Sequence, residues 1–224
     1  MFVISLGSRC QVAFHLGQNN LRMGSYPLDW AITPFGSLYS VIDNDFKKFF
    51  DESNIQACDI FIPGYFAVLN TEYNITFIHD FKDKEEFSKN FVEVKEKYRR
   101  RIARFYAATE SDEPLCFVRH KDITKEQASS LSHLLQKKFP KMRYTLLVIN
   151  ETDEIKDNWK IPNVLNCFMK TAEEGNALDP RYNNNWSELF RNVVSQRKRQ
   201  YRLMGRLHRA FCQSSTKYGF LSRG

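Results

Sequence analysis

Of the five cysteines and five histidines in the chain, Cys10 is the one whose setting favours reaction. It ends the run Phe2-Val-Ile-Ser-Leu-Gly-Ser-Arg-Cys10, which reads as a short apolar strand, a break at Gly7, and a helix from Gln11 to about Asn19. A thiol at that point lies over a helix N-terminus, where unpaired N–H groups and the positive end of the dipole favour thiolate over thiol. The same N–H groups are placed to hold a developing oxyanion. A strand, a tight glycine turn and a nucleophile at a helix mouth form a nucleophile elbow, here with Cys in place of Ser. The competing reading is a packed thiol, since free Cys is among the most buried residue types.

A thiol nucleophile needs an imidazole to take its proton and later return it. Two histidines fall at the ends of extended segments. His79 follows Tyr73–Ile78 and is followed at once by Asp80; His120 follows Leu115–Val118 beside Arg119. His15 lies one turn beyond Cys10 and points away from the helix mouth, while His133 and His208 fall on outer helix faces. A third group must fix the ring tautomer. Neighbouring strand side chains point to opposite faces, so Asp80 is poorly placed to hold His79. That leaves Asp80 to the backbone or to Arg101. Gly7, Ser8, Arg9, Asp80, Arg101, Arg119 and His120 are expected to surround the substrate.

The elements that must position these residues show in the apolar periodicity. Phe87, Phe91, Val94, Tyr98, Ile102 and Phe105 form one stripe of a helix over Lys84–Ala108. Thr124 with Gln127 is a capping-box signal for a helix carrying Leu131, Leu134, Leu135 and Phe139. Leu115–Val118, Tyr144–Ile149 and Asn163–Phe168 read as buried strands, and Phe61–Ala67 as extended. Alternating strands and helices of these lengths imply a three-layer α/β sandwich with a mostly parallel central sheet. In such sheets ligands meet the carboxyl ends of the strands.

The net charge of +7 is not spread evenly. Residues 189–224 hold nine Lys/Arg and no Asp/Glu, while the first 188 hold 24 basic and 26 acidic groups. The sequence therefore divides into an α/β domain over 1–188 and a basic amphipathic helical extension over 189–224. Within that extension Arg197–Arg209 would suit an acidic partner, either nucleic acid or an anionic membrane surface. Scattered, odd-numbered cysteines with no CxxC pair fit a reducing, cytoplasmic setting rather than a disulfide framework. No stretch approaches the ~20 apolar residues of a membrane span. Dinucleotide and P-loop fingerprints are absent, and no His/Cys/Asp/Glu grouping has metal-ligand spacing, so no cofactor is expected.

The segments Ser5-Leu-Gly-Ser-Arg-Cys10-Gln-Val-Ala, Leu21-Arg22, Ser25-Tyr-Pro-Leu-Asp29-Trp30 and Phe77-Ile-His79-Asp80-Phe81 carry a further signal. On them the chain resembles a family of uncharacterised proteins of bacteria and large DNA viruses described as papain-like cysteine peptidases. The resemblance covers about the first half, as far as the Arg100-Arg101-Ile102 helix and the Phe117-Val-Arg119 strand. The family motif usually reads SYPFDW, and Leu28 stands here for its Phe. The resemblance implies Cys10 as nucleophile, His79 as base, a peptide substrate, and Asp29 or Asp80 as orienting carboxylate, of which Asp29 is the better orienter because Asp80 adjoins His79. Papain-type folds, however, set the cysteine on a central helix against an antiparallel sheet, whereas this chain reads as alternating βα. A thiol-dependent acyltransferase or esterase acting on a glycan or small acyl group is therefore the alternative. A third reading is a binding module with an inert Cys10, docking through its basic tail.

Overall fold

A computed structural model describes residues 1–121, 123–151, 159–169 and 186–193. The chain divides into two units, Met1–Asn183 and Asn184–Gly224. In the second, residues 186–193 are helical and the Trp186 and Phe190 rings lie 5.5 Å apart. The basic stretch Arg197–Arg209 lies outside the described residues.

The first unit opens with β1 (Phe2–Ser5) and α1 (Gln11–Gln18), followed by a two-residue strand β2 (Ala31–Ile32) and α2 (Phe35–Asp43). A hairpin of β3 (Ile55–Ile62) and β4 (Tyr65–Asn70) leads to β5 (Ile75–Phe77) and the long helix α3 (Lys84–Thr109). The remainder alternates: β6 (Leu115–His120), α4 (Lys125–Lys138), β7 (Tyr144–Glu151) and β8 (Val164–Met169).

Two four-stranded sheets result. The first has the order β1-β6-β7-β8 and is parallel throughout, with Ser5 opposite Val118 and His120 opposite Ile149. Its central strand β6 is buried along its whole length, as expected of a parallel strand covered on both faces. The second has the order β2-β5-β4-β3 and is antiparallel. The parallel sheet bears out the α/β reading, and the antiparallel sheet stands beside it as an element the sequence reading did not include. Pro63-Gly64 lies inside the segment that reads as continuous strand, and Gly64 takes φ +77°. The glycine supplies the left-handed backbone of a hairpin turn, so the extended stretch folds back on itself. His79 consequently follows a strand of the antiparallel sheet, not the carboxyl edge of the parallel one.

The helices follow their sequence signals. Asp83 caps α3 by accepting the Glu86 amide at 2.7 Å, and Thr124 and Gln127 close the capping box of α4. The apolar stripe of α3 turns into an aromatic core. Tyr98, fully buried, stacks on Phe50 at 4.7 Å and meets Phe77 of β5 at 5.0 Å. Each such ring removes enough apolar area from water to stabilise the fold by about 1.5–3 kcal/mol. This cluster fixes β5, and so the chain just before His79, against α3.

Candidate active site

Cys10 is the N-cap residue of α1, with φ −67° and ψ −14°, and its carbonyl already accepts the Phe14 amide at 3.0 Å. The turn that delivers it is tight. Gly7 takes φ +73° and Ser8 takes φ +83°, and a non-glycine residue in that region stores roughly 1–3 kcal/mol of strain. Gly7 is required for space as well as conformation. A Cβ there would sit 3.1 Å from Thr33 Oγ1 and 3.2 Å from the Leu28 carbonyl oxygen. The turn that delivers Cys10 therefore presses directly on Leu28 and Thr33.

Three hydrogen bonds hold that contact. The Thr33 amide donates to the Ser8 carbonyl at 3.1 Å. Arg119, 3% exposed, donates from Nη1 to the Leu6 carbonyl at 3.0 Å and from Nη2 to the Thr33 carbonyl at 2.8 Å. Arg119 thus spends both guanidinium arms on backbone, clamping β1 to Thr33, where the sequence reading placed it at the substrate. Arg9, by contrast, is exposed beside the thiol.

The same segment reaches His79 on its other side. Ala31 pairs with Phe77 across β2 and β5, and Trp30 meets the His79 ring edge-on at 5.7 Å. Tyr65, next to the hairpin turn, meets the same His79 ring edge-on at 4.9 Å. The His79 Nε2 atom is buried and has no hydrogen-bond partner among the described residues. Burial lowers the imidazole's pKa from its ordinary value, against the pull of Asp80, so the ring is held neutral.

Both aspartates near this segment are committed elsewhere. Asp29 Oδ2 accepts from Arg22 Nη2 at 2.8 Å, from Arg22 Nε at 3.2 Å and from the Tyr26 amide at 2.9 Å. Arg22 also lies 5.4 Å over the Trp30 ring. Asp29 therefore rigidifies the Ser25–Trp30 loop, and its bonds go to Arg22 and Tyr26 rather than to His79. Asp80 pairs with Lys97 at 2.6 Å and accepts from the Tyr98 hydroxyl at 2.6 Å; these two, not Arg101, are its partners. Arg101 lies against the Tyr98 ring at 4.9 Å.

The Cys10 thiol departs from the expected thiolate. Burial raises its pKa, and the amide and the Arg9 charge, which act to lower it, do not compensate. A desolvated sulfur loses more as an anion than one helix turn returns. The resting group is a thiol.

A second imidazole sits at the carboxyl edge of the parallel sheet. His120, 1% exposed, shares its Nε2 with Glu151 Oε1 at 3.0 Å, and Lys121 pairs with the same carboxylate at 2.9 Å. Burial lowers the pKa of His120 while Glu151 opposes it. Burial acts to raise Glu151, but the hydrogen bonds from His120 and Lys121 outweigh it and its pKa falls. The pairing depends on β6 and β7 being neighbours, which the sequence does not show. His15 is buried with its ring against Phe14, and His133 is exposed on α4.

The α/β fold thus sets a cysteine at the mouth of its first helix, with an imidazole beyond the Ser25–Trp30 loop. Residues 1–150 match the family model described as "putative papain-like cysteine peptidase (DUF1796)". The chain belongs to that family. It is also similar to an uncharacterised protein, R408, of Acanthamoeba polyphaga mimivirus, with 27% identity over 217 residues covering 84% of this chain and 96% of the relative. No solved structure matches the chain. Among the described residues no helix is long and apolar enough to cross a membrane.

Proposed function

We propose that the protein is a cysteine-nucleophile hydrolase of peptide or related acyl bonds, with Cys10 as nucleophile and His79 as general base. The observation that carries the choice of base is the buried His79 Nε2 with no partner among the described residues. The His120 Nε2, in contrast, is engaged with Glu151. In the first step His79 Nε2 takes the Cys10 Sγ proton as sulfur bonds to the substrate carbonyl carbon. The carbonyl oxygen becomes an oxyanion facing the first-turn N–H groups of α1, which have no acceptor within the helix. The imidazolium then protonates the leaving group as its bond to carbon breaks, leaving a thioester. Water, deprotonated by His79, attacks that thioester, and sulfur departs and recovers the proton. A peptide amine or an alcohol could depart by the same steps. An acyl acceptor in place of water would make the protein an acyltransferase.

In this reading Asp29 acts through the loop: it holds Arg22, which lies over Trp30, which walls His79. Gly7, Ser8 and Arg9 border the substrate, and Arg119 keeps their turn in place. A second reading takes the base from His120, oriented by Glu151. It is favoured by one observation: α1 packs against β6, the strand that ends in His120.

The test is acylation by an activated ester, p-nitrophenyl acetate, with the site located by peptide mass spectrometry. Acetyl on Cys10, lost in His79→Ala and retained in His120→Ala, is the expected result. Loss only in His120→Ala would move the base to β6. Acetylation spread over the cysteines without preference for Cys10 would overturn the hydrolase reading and leave the binding module.

A further inference from the structure

Among the described residues, Arg101 stands beside the candidate site with no carboxylate of its own. Arg101 lies half-buried on α3, and its charge reaches Asp29. Each carboxylate in its neighbourhood is already taken: Asp29 by Arg22 and the Tyr26 amide, Asp80 by Lys97 and Tyr98. The Arg101 Nη1 atom is buried and has no hydrogen-bond partner among the described residues. A buried charged donor without an acceptor is costly, and folded proteins satisfy nearly all such groups. Arg104, one turn further along α3, adds a second positive charge whose bond goes to the Ser25 carbonyl rather than to an acid. Thr33, 1% exposed, likewise has its hydroxyl unpartnered among the described residues while it presses on Gly7.

The position of Arg101 relates it to the base. Tyr98 carries the guanidinium on its ring, and its hydroxyl bonds Asp80, the residue after His79. Arg101 is therefore linked through Tyr98 to the residue that follows His79 in the chain.

We propose that Arg101 binds an anionic group of the substrate, so that the acyl compound attacked by Cys10 carries a carboxylate or a phosphate. The proposal rests on the reading of Cys10 as nucleophile. A guanidinium suits this role because its planar fork matches either anion with two parallel hydrogen bonds, and it stays charged when partly desolvated. The ring of Tyr98 holds the fork's orientation before ligand arrives, which reduces the ordering cost of binding.

The experiment uses the full chain and two readouts. In the first, Cys10 is alkylated with iodoacetate and with iodoacetamide, and the ratio of the two rates is compared with that of free cysteine. The ratio cancels the thiolate fraction and leaves the preference for an anionic reagent. We expect the ratio to exceed that of free cysteine by roughly tenfold, the low end of what a focused positive site gives, and to drop to the free value in Arg101→Gln. Inorganic phosphate should lower the iodoacetate rate more than the iodoacetamide rate. In the second readout, inorganic phosphate should raise the thermal midpoint of the wild-type chain and of Arg101→Lys, but not of Arg101→Gln.

A reactive Cys10 with no anionic preference, or a preference that survives Arg101→Gln, overturns the anion site while leaving the nucleophile intact. A Cys10 inert to both reagents ends the nucleophile reading, and the phosphate shift then decides the anion site alone. If Arg101→Gln fails to fold, the wild-type ratio and its response to phosphate still decide. No thermal shift with phosphate in the wild-type chain overturns the proposal.

Discussion

The indole of Trp30 stands edge-on to the imidazole of His79, ring centroids 5.7 Å apart at an interplanar angle of 84°. This contact joins the two motifs that the sequence keeps 49 positions apart in numbering, the Ser25–Trp30 loop and the His79-Asp80 step. It also contributes to the burial that holds His79 neutral. In Trp30→Ala the ring should meet water, and its pKa should climb back toward about 6.5. An NMR titration of the His79 ring proton reads this directly. An unchanged titration would mean that Tyr65 and the surrounding strands supply the desolvation alone.

Arg119 offers a test of how the turn before Cys10 is held. Replacing it with Met leaves the Leu6 and Thr33 carbonyls without its donors in a buried setting. The loss should be about 2–4 kcal/mol, read as a lower urea midpoint. Gly7→Ala should cost a further roughly 1–3 kcal/mol in its own background, because the residue is both left-handed and in contact with Leu28. Either variant retaining wild-type stability would show that the turn relaxes without them.

Stability should also depend on pH in a stated direction. His79 and His120 both have lowered pKa values in the fold, so the unfolded chain takes up protons at a higher pH than the folded one. Their contribution is fully present above about pH 6.5 and is lost as pH falls toward their folded values, each unit of separation costing about 1.4 kcal/mol. Glu151 adds a lower window. Its pKa is depressed, so its contribution holds above about pH 4.5 and is lost as pH falls through its folded value. Urea midpoints should therefore fall from pH 7 to pH 5 and again below pH 4.5. A flat profile between pH 7 and pH 5 would contradict the burial of both rings.

The parts of this architecture that were legible in the sequence are those written in local pattern. The α3 stripe from Phe87 to Phe105, the Thr124–Gln127 box and the apolar runs of β6, β7 and β8 each encode their own element. So does the strand–glycine–helix delivery of Cys10. What stayed hidden depends on non-local pairing. The hairpin of β3 and β4 turns at Pro63-Gly64 inside an apolar run, where the periodicity alone suggested one strand. The His120–Glu151 bond requires knowing that β6 and β7 are adjacent and in register. Asp29's commitment to Arg22 required the loop's closed shape, and the raised pKa of Cys10 required its burial. Charge environment, unlike periodicity, is assembled only when distant segments meet.

The proposed catalytic roles make a prediction about coupling. His79→Ala should slow hydrolysis of an activated ester roughly 10²–10⁴-fold, the usual contribution of a positioned general base, and Cys10→Ala should abolish it. The double variant should be no slower than Cys10→Ala, because residues that act as one unit fail together rather than additively. Asp29→Asn should be milder. The amide keeps the shape of the carboxylate and can still accept from the Tyr26 amide, while the ion pair with Arg22 and the seat of Trp30 are weakened. Its signature should be a loss in kcat that recovers in part when Arg22 is replaced by Gln, which restores a neutral pair beside Trp30. A purely structural Asp29 would show instead a lower unfolding midpoint with kcat of the folded fraction unchanged. Turnover surviving in Cys10→Ala would end the thiol mechanism, since no other described cysteine stands at the mouth of a helix.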